Sequence, residues 1–378
     1  MRILHIGKFY SPIEGGVESI NRFIVSILSN DTNEQRVLSF NSNRESIEEN
    51  VGGVPVVRTG IHGVVASQPI SMRYWSEMHR FIRIFKPDII HLHYPNPLAA
   101  LYLLFCIRNE NKLIVHWHSD VVAQKIMHSL VTPIERKLLK RANVVIATSP
   151  NYVEASDALQ RVKEKVTVIP CSIDEQRWLL KPGDEARIAE IKTQYGGKPI
   201  VFFIGRHVEY KGIKYLLEAE RLVKQDCVFV IAGQGPLTAE LKTGYQSPRI
   251  HWVGRLSDDE MRCYYYAASI FAFPSITRNE AFGVVLAESM YCGCPSVTFT
   301  IKGSGVNWVS VNGETGIEVC NRDYAAYAAA VDRLLTDDVL REELSRNAVK
   351  RVKELFSKEI VEKAYRKVYT RLLTGDKC

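Results

Sequence analysis

The sequence predicts an α/β protein built from two Rossmann-like halves, each a parallel sheet wrapped by helices. Three observations carry this expectation. Short apolar runs rich in Val and Ile alternate with longer amphipathic stretches from end to end, the pattern of parallel strands joined by crossover helices. A polar interval from Lys181-Pro-Gly-Asp184 to Tyr195-Gly-Gly197 separates two such series and reads as a crossing between domains. The length of 378 residues suits two or three domains.

Taken in order, strands are expected near 2–6, 36–40, 54–58, 88–92, 112–116, 143–147 and 166–169, with helices filling most gaps. The helix after the first strand follows Ser11-Pro-Ile-Glu-Gly-Gly16, a loop whose glycines permit positive φ and close approach of a ligand to backbone N–H groups. The second series opens at Pro199-Ile-Val-Phe-Phe-Ile-Gly-Arg206 and continues with strands near 227–232, 249–253, 269–273 and 295–298. From Ser357 to Leu373, Ile360, Val361, Ala364, Val368, Leu372 and Leu373 recur among charges as in a terminal amphipathic helix. The expected domains are residues 1–175, 176–356 and a terminal helix over 357–378.

Composition narrows the function. A hydrophobic fraction of 46% and a charged fraction of 24% exclude disordered and collagen-like chains. The charge of +7 is a mild excess of 49 Lys and Arg over 42 Asp and Glu, far from the dense basic stripe of a nucleic-acid binder. It suits phosphate-bearing small molecules or an anionic membrane surface. The eight cysteines are spread out, Cys292-Gly-Cys294 excepted, without redox or zinc-finger spacing, and read as reduced, buried hydrophobes. No signal-peptide pattern opens the chain and the longest apolar run, Leu98 to Ile107, falls short of the roughly 20 residues that span a bilayer. A cytoplasmic location is expected, with any membrane contact peripheral. The segments Arg58–Lys86 and Val121–Arg141 are locally basic, and Arg73, Trp75, Arg80, Phe81, Arg83 and Phe85 suit either an anionic lipid surface or a solvated helix.

The most informative constellation is Phe273-Pro-Ser-Ile-Thr-Arg-Asn-Glu280-Ala-Phe-Gly283-Val-Val-Leu-Ala-Glu288. A strand ends, a loop carries Glu280, and a helix begins around Gly283, leaving free N–H groups and a positive dipole end for an anion. Eight residues of helix rise by roughly 12 Å, too far for the two carboxylates to share one glycosidic bond as a retaining hydrolase pair at roughly 5 Å does. They suit the hydroxyls of two sugars joined by a diphosphate. Gly205-Arg206-His-Val-Glu-Tyr-Lys211-Gly212 supplies two cations after a strand, where the growing charge of a leaving diphosphate needs them.

Other signals are weaker. No D-x-D occurs, and His91-Leu-His93 and His116-Trp-His118 are i,i+2 pairs with no evident third metal ligand, although alternate strand residues share a face. One histidine of each pair is read as packed or as helping to end a strand. Thr238 stands where a third glycine would complete G-x-G-x-x-G after Gly233-Gln-Gly235. P-loop, G-x-S-x-G and H-E-x-x-H signatures are missing, which removes ATPase, serine-hydrolase and zincin readings.

Together these residues resemble the retaining glycosyltransferases of the GT-B fold, family 4 type, with particular likeness to bacterial O-antigen and polysaccharide mannosyltransferases. The likeness runs from Gly15-Gly16 through Asp88-Ile-Ile-His-Leu-His93, Trp117-His-Ser-Asp120 and Gly205-Arg206…Lys211-Gly212 to Glu280-Ala-Phe-Gly283…Glu288. It implies two facing domains, an interdomain cleft that closes on the substrates, and a C-terminal helix crossing back to the first domain. It implies that Arg206 and Lys211 grip the donor diphosphate, that Glu280 contacts donor-sugar hydroxyls, and that Glu288 binds ribose. Ala281, standing where many relatives have glycine, begins the run Ala281, Phe282, Gly283, Val284 and Val285 that offers backbone N–H groups. His118 is implied beside the donor sugar, Val253 and Gly254 beside the base, and Gly15 and Gly16 near the phosphate and acceptor.

The chemistry so implied is transfer of a hexose with retention, without metal or other cofactor, from a nucleotide-sugar donor to a lipid-linked oligosaccharide in O-antigen or polysaccharide biosynthesis at the inner membrane face. GDP-mannose is the expected donor, with UDP-glucose, UDP-galactose or UDP-GlcNAc as alternatives. A non-catalytic nucleotide-binding scaffold of a polysaccharide assembly complex is the alternative of another class. No nucleic-acid partner is expected.

Overall fold

The computed structural model describes residues 1–13, 15–30, 32–65, 68–120 and 125–374, the side chains of 125–130 apart. Residues 121–124 of the second basic segment and 375–378 of the tail lie outside the described residues. The chain forms two compact units. One is Met1–Ile169 together with the segment from Glu362 onward, and the other is Pro170–Val361. The chain returns to the first unit inside the terminal helix Lys358–Thr374.

The first unit carries β1 (Arg2–Ile6), β2 (Glu34–Phe40), β3 (Ile47–Val51), β4 (Val54–Thr59), β5 (Gly63–Val65), β6 (Gln68–Ile70), β7 (Ile89–Tyr94), β8 (Lys112–Trp117), β9 (Val144–Ala147) and β10 (Val166–Val168). Eight of them form a sheet in the order β10-β9-β8-β7-β1-β2-β4-β3, and β5 pairs with β6. All neighbours in the large sheet run parallel except β3 on β4. Its central strands are buried on both faces, as near-continuous apolar runs require. The strand β3, Ile47-Glu-Glu-Asn-Val51, is a mostly exposed antiparallel edge, so no apolar run announces it.

The second unit carries β11 (Ile200–Ile204), β12 (Val228–Ala232), β13 (Ile250–Gly254), β14 (Ile270–Phe273), β15 (Ser296–Phe299) and β16 (Gly316–Val319). They form an all-parallel sheet in the order β13-β12-β11-β14-β15-β16. The strand order reverses beside the first strand of each unit, between β1 and β7 and between β11 and β14. Ligands of doubly wound sheets bind outside the carboxyl ends of the strands at such a reversal.

Three sequence expectations change here. Six cysteines are free and buried, but Cys320 is exposed. Arg58 is not a surface cation of the basic stretch: it is 2% exposed, pairs with Glu49, and donates to the carbonyls of Tyr10 and Ser11. In the terminal helix Val361 is buried within the second unit and Tyr365, Val368 and Tyr369 within the first, whereas Ile360 and Leu373 of the expected apolar stripe are 46% and 50% exposed.

Candidate functional site

In the second unit, the loops after β11 and β14 meet at the strand reversal. The amide of Ile276 donates to the carbonyl of Tyr210 at 2.9 Å, binding the Arg206–Lys211 loop to the loop that carries Glu280. Gly212, at φ 63°, makes that contact feasible: a Cβ there would lie 2.1 Å from the Pro274 carbonyl oxygen. The Lys211 ammonium is paired with the Glu280 carboxylate, which also accepts from the Ser275 hydroxyl at 3.2 Å. Lys211 lies over the rings of Tyr210 and Phe273. Burial pulls its pKa down, but Glu280 and Tyr210 outweigh burial and hold it above the ordinary lysine value. Arg206 is exposed.

Beyond Glu280 the backbone is anchored by hydrogen bonds from Ser304 to the Glu280 carbonyl and from the Gly305 amide to the Ala281 carbonyl. Gly283, at φ 88°, caps the helix Val284–Tyr291 without a side-chain cap, so its first-turn amides keep the orphan N–H groups that attract an anion. Phe282 points into the core and is 3% exposed, so only its backbone is available to a ligand. Glu288, on that helix, is buried, and burial above all raises its pKa to about 7. Arg177 and a hydrogen bond from Tyr265 act in the opposite sense, and Asp258 reinforces the rise.

Val253 and Gly254 close β13, where the Gly254 carbonyl accepts from the Gly233 amide at 2.6 Å. The missing third glycine of G-x-G-x-x-G has a role of its own: the Thr238 hydroxyl holds the Gly235 amide and His207 Nδ1, each at 2.9 Å. These bonds set the loops after β11, β12 and β13 along one sheet edge.

In the first unit, Gly15 caps the helix Gly16–Leu28 at the strand reversal, without a side-chain cap. The glycines are not needed for positive φ, as the sequence suggested. Gly15 is extended at φ 179°, and around Gly16 there is open space that leaves its backbone approachable. Arg58, missed from sequence, pins the Tyr10 and Ser11 carbonyls that lead into this loop.

His118 follows β8 and is 6% exposed, its amide bonded to the Tyr94 carbonyl at 2.9 Å. Its Nε2 lies 2.9 Å from His93 Nδ1, and its ring stacks on His116 with centroids 4.0 Å apart. Burial lowers its pKa to about 3. Asp120, bonded to Trp117, Ser156 and Tyr152, braces the turn. Both histidines of each i,i+2 pair are buried, not one of each. With His5 they form a single imidazole cluster on the first sheet.

The structure thus brings Arg206, Lys211, Glu280, Ala281 to Val285, Val253 and Gly254 to one sheet edge of the second unit, with Glu288 in the helix behind it. Gly15, Gly16 and His118 stand at strand ends of the first.

Comparison with known proteins agrees across both units. Residues 14–177 match Glycosyltransferase Family 4, and residues 198–337 match Glycosyl transferases group 1. The chain is 29% identical over 361 residues to the D-rhamnosyltransferase WbpZ of Pseudomonas aeruginosa, covering 94% of this chain and 92% of that one. It is 28% identical over 378 residues to the O-antigen chain mannosyltransferase C of Escherichia coli, covering 99% of each. The solved structure of Anabaena Alr3699/HepE in complex with UDP and glucose shares the fold, with a TM-score of 0.77 at 18% identity over 98% of this chain and 99% of that one. Two units built on mainly parallel sheets and these matches together identify the chain as a glycosyltransferase of the GT-B fold, belonging to family 4.

Proposed function

We propose that this glycosyltransferase moves mannose from GDP-mannose, with retention, to a lipid-linked oligosaccharide in O-antigen or related polysaccharide assembly. The observation that carries the donor reading is the buried Lys211–Glu280 pair, set beside Arg206 and the helix Val284–Tyr291 at the strand reversal. Mannose and the O-antigen acceptor are supported by the full-length likeness to the E. coli mannosyltransferase.

In this reading the diphosphate lies against Arg206, Lys211 and the amides of Gly283 to Val285, whose fixed positive charge stabilises the leaving group as its own charge grows. Glu280 turns from Lys211 to the donor-sugar hydroxyls, and Glu288 takes the ribose. Val253 and Gly254 border the base. His118, Gly15 and Gly16 serve the reacting sugar, phosphate and acceptor. The anomeric carbon loses its bond to the diphosphate oxygen and gains one to the acceptor oxygen on the same face, while the acceptor proton passes to the departing phosphate oxygen. The charge stabilisation comes from the protein's cations and helix terminus, so the reaction needs no metal.

We place the work at the cytoplasmic face of the inner membrane. Among the described residues no helix is long and apolar enough to cross a membrane. Met72, Trp75 and Phe105 are exposed, with Arg73 and Arg83 exposed nearby in sequence, and this mixture suits peripheral contact with anionic lipid. A panel of radiolabelled GDP-mannose, UDP-glucose, UDP-galactose and UDP-GlcNAc tests the donor. Transfer from GDP-mannose alone is expected, and turnover only with a UDP-sugar rejects it.

A further inference from the structure

Strand register joins what the sequence leaves as two separate histidine pairs. His91 and His93 alternate along β7, and His93 lies opposite His116 of β8. One ring nitrogen of each lies within 4.8 Å of one from each of the others, and all three side chains are buried. Nε2 of His91, Nε2 of His93 and both ring nitrogens of His116 have no hydrogen-bond partner. Burying such groups unpaired costs about 1–3 kcal/mol each, so packing alone does not account for four of them in one place.

The remaining nitrogens are held. His91 Nδ1 lies 2.5 Å from the Tyr369 hydroxyl of the terminal helix, and His93 Nδ1 lies 2.9 Å from His118 Nε2. His91 and His93 thus have the arrangement of metal-binding imidazoles, one nitrogen free for the ion and the other fixed by a hydrogen bond, whereas neither nitrogen of His116 is held.

We propose that His91, His93 and His116 form a binding site for a divalent transition-metal ion, zinc being the ion that suits three neutral imidazoles, buried where the terminal helix packs on the first sheet. Zn–N bonds of about 2.0–2.1 Å at tetrahedral angles set the ligand nitrogens about 3.4 Å apart. Ligation requires these nitrogens, within 4.8 Å of one another in the structure, to close to that spacing, with a water completing the coordination. Binding through His93 Nε2 leaves the His93 proton on Nδ1, where it donates to His118 Nε2 and places the proton of His118 on its own Nδ1. The ion therefore holds the helix through His91 and Tyr369 and orients His118, with no bond made or broken at the metal. This site stands independently of the donor assignment above.

The test uses the full chain, stripped with a chelator and titrated with Co2+ and then Zn2+, with far-UV circular dichroism confirming that it stays folded. Expected are about one equivalent bound, the visible absorption of tetrahedral Co2+, its displacement by Zn2+, and a rise in Tm. His91→Asn and His116→Asn should each bind at least tenfold more weakly, whereas His62→Asn, a change at an exposed histidine, should bind as the parent does. A folded parent chain that takes up neither ion overturns the proposal. So does undiminished binding by His116→Asn, or loss of binding in His62→Asn.

Discussion

Lys211 and Glu280 form an ion pair across the gap between the loops that follow β11 and β14, with only 11% and 13% of their side chains exposed. Sixty-nine positions separate them in sequence, and the strand reversal brings them together. Buried pairs are costly to break because the survivor is left as an uncompensated charge. Lys211→Met should therefore lower the unfolding free energy by about 3 kcal/mol, and Lys211→Met with Glu280→Gln should recover part of that loss. Urea unfolding of the three chains checks it, and additive losses would show that the pair is not coupled.

Glu288 should give the ligand-free chain a pH-dependent stability. Burial lifts its pKa from 4.5 to about 7, so the folded form holds its proton where the unfolded form has released it. The stabilisation is complete below pH 4.5 and is lost as pH rises to 7; at about 1.4 kcal/mol per pH unit the loss totals about 3 kcal/mol. Unfolding measured at pH 5 and pH 8 should show most of that fall in the parent chain relative to Glu288→Gln. Equal pH dependence in both would remove Glu288 as its source.

Gly212 and Gly313 both have positive φ, but only Gly212 has a neighbour in the way of a Cβ. Gly313→Ala should cost about 1 kcal/mol, the conformational penalty alone. Gly212→Ala should cost more than about 2 kcal/mol and weaken nucleotide-sugar binding, because the loops carrying Lys211 and Glu280 must separate. Thermal unfolding together with donor titration distinguishes the two.

Arg58→Met should strand the Tyr10 and Ser11 carbonyls and the Glu49 carboxylate. A loss of about 2–3 kcal/mol follows from breaking a buried charged network. Faster proteolysis at the 10–16 loop should accompany it, while Arg108→Met, at an exposed pair, should leave both nearly unchanged.

The strands with Val and Ile runs were legible because a parallel sheet buried on both faces demands such runs. Polar β3, short β5 and β6, and Gly-Ile-Glu-Val of β16 carry no such run and were missed. The stretch from Phe273 to Glu288 was legible as a site because strand, loop and helix N-terminus are contiguous in sequence. The Lys211 pairing, the carbonyl contacts of Arg58 and the joining of His91, His93 and His116 depend on register between distant strands, which local periodicity does not encode. The aliphatic periodicity of the terminal helix does not mark Tyr365 and Tyr369, whose rings pack beside the histidine cluster.

The most direct test of the donor site is the rate of mannose transfer from GDP-mannose by Lys211→Ala and Glu280→Ala against the parent chain, with folding confirmed for each. Loss of a group that stabilises developing charge typically lowers kcat by 10²–10³-fold, and each variant is expected to fall in about that range. Transfer at the parent rate by either folded variant would contradict the assignment of Lys211 and Glu280 to the donor.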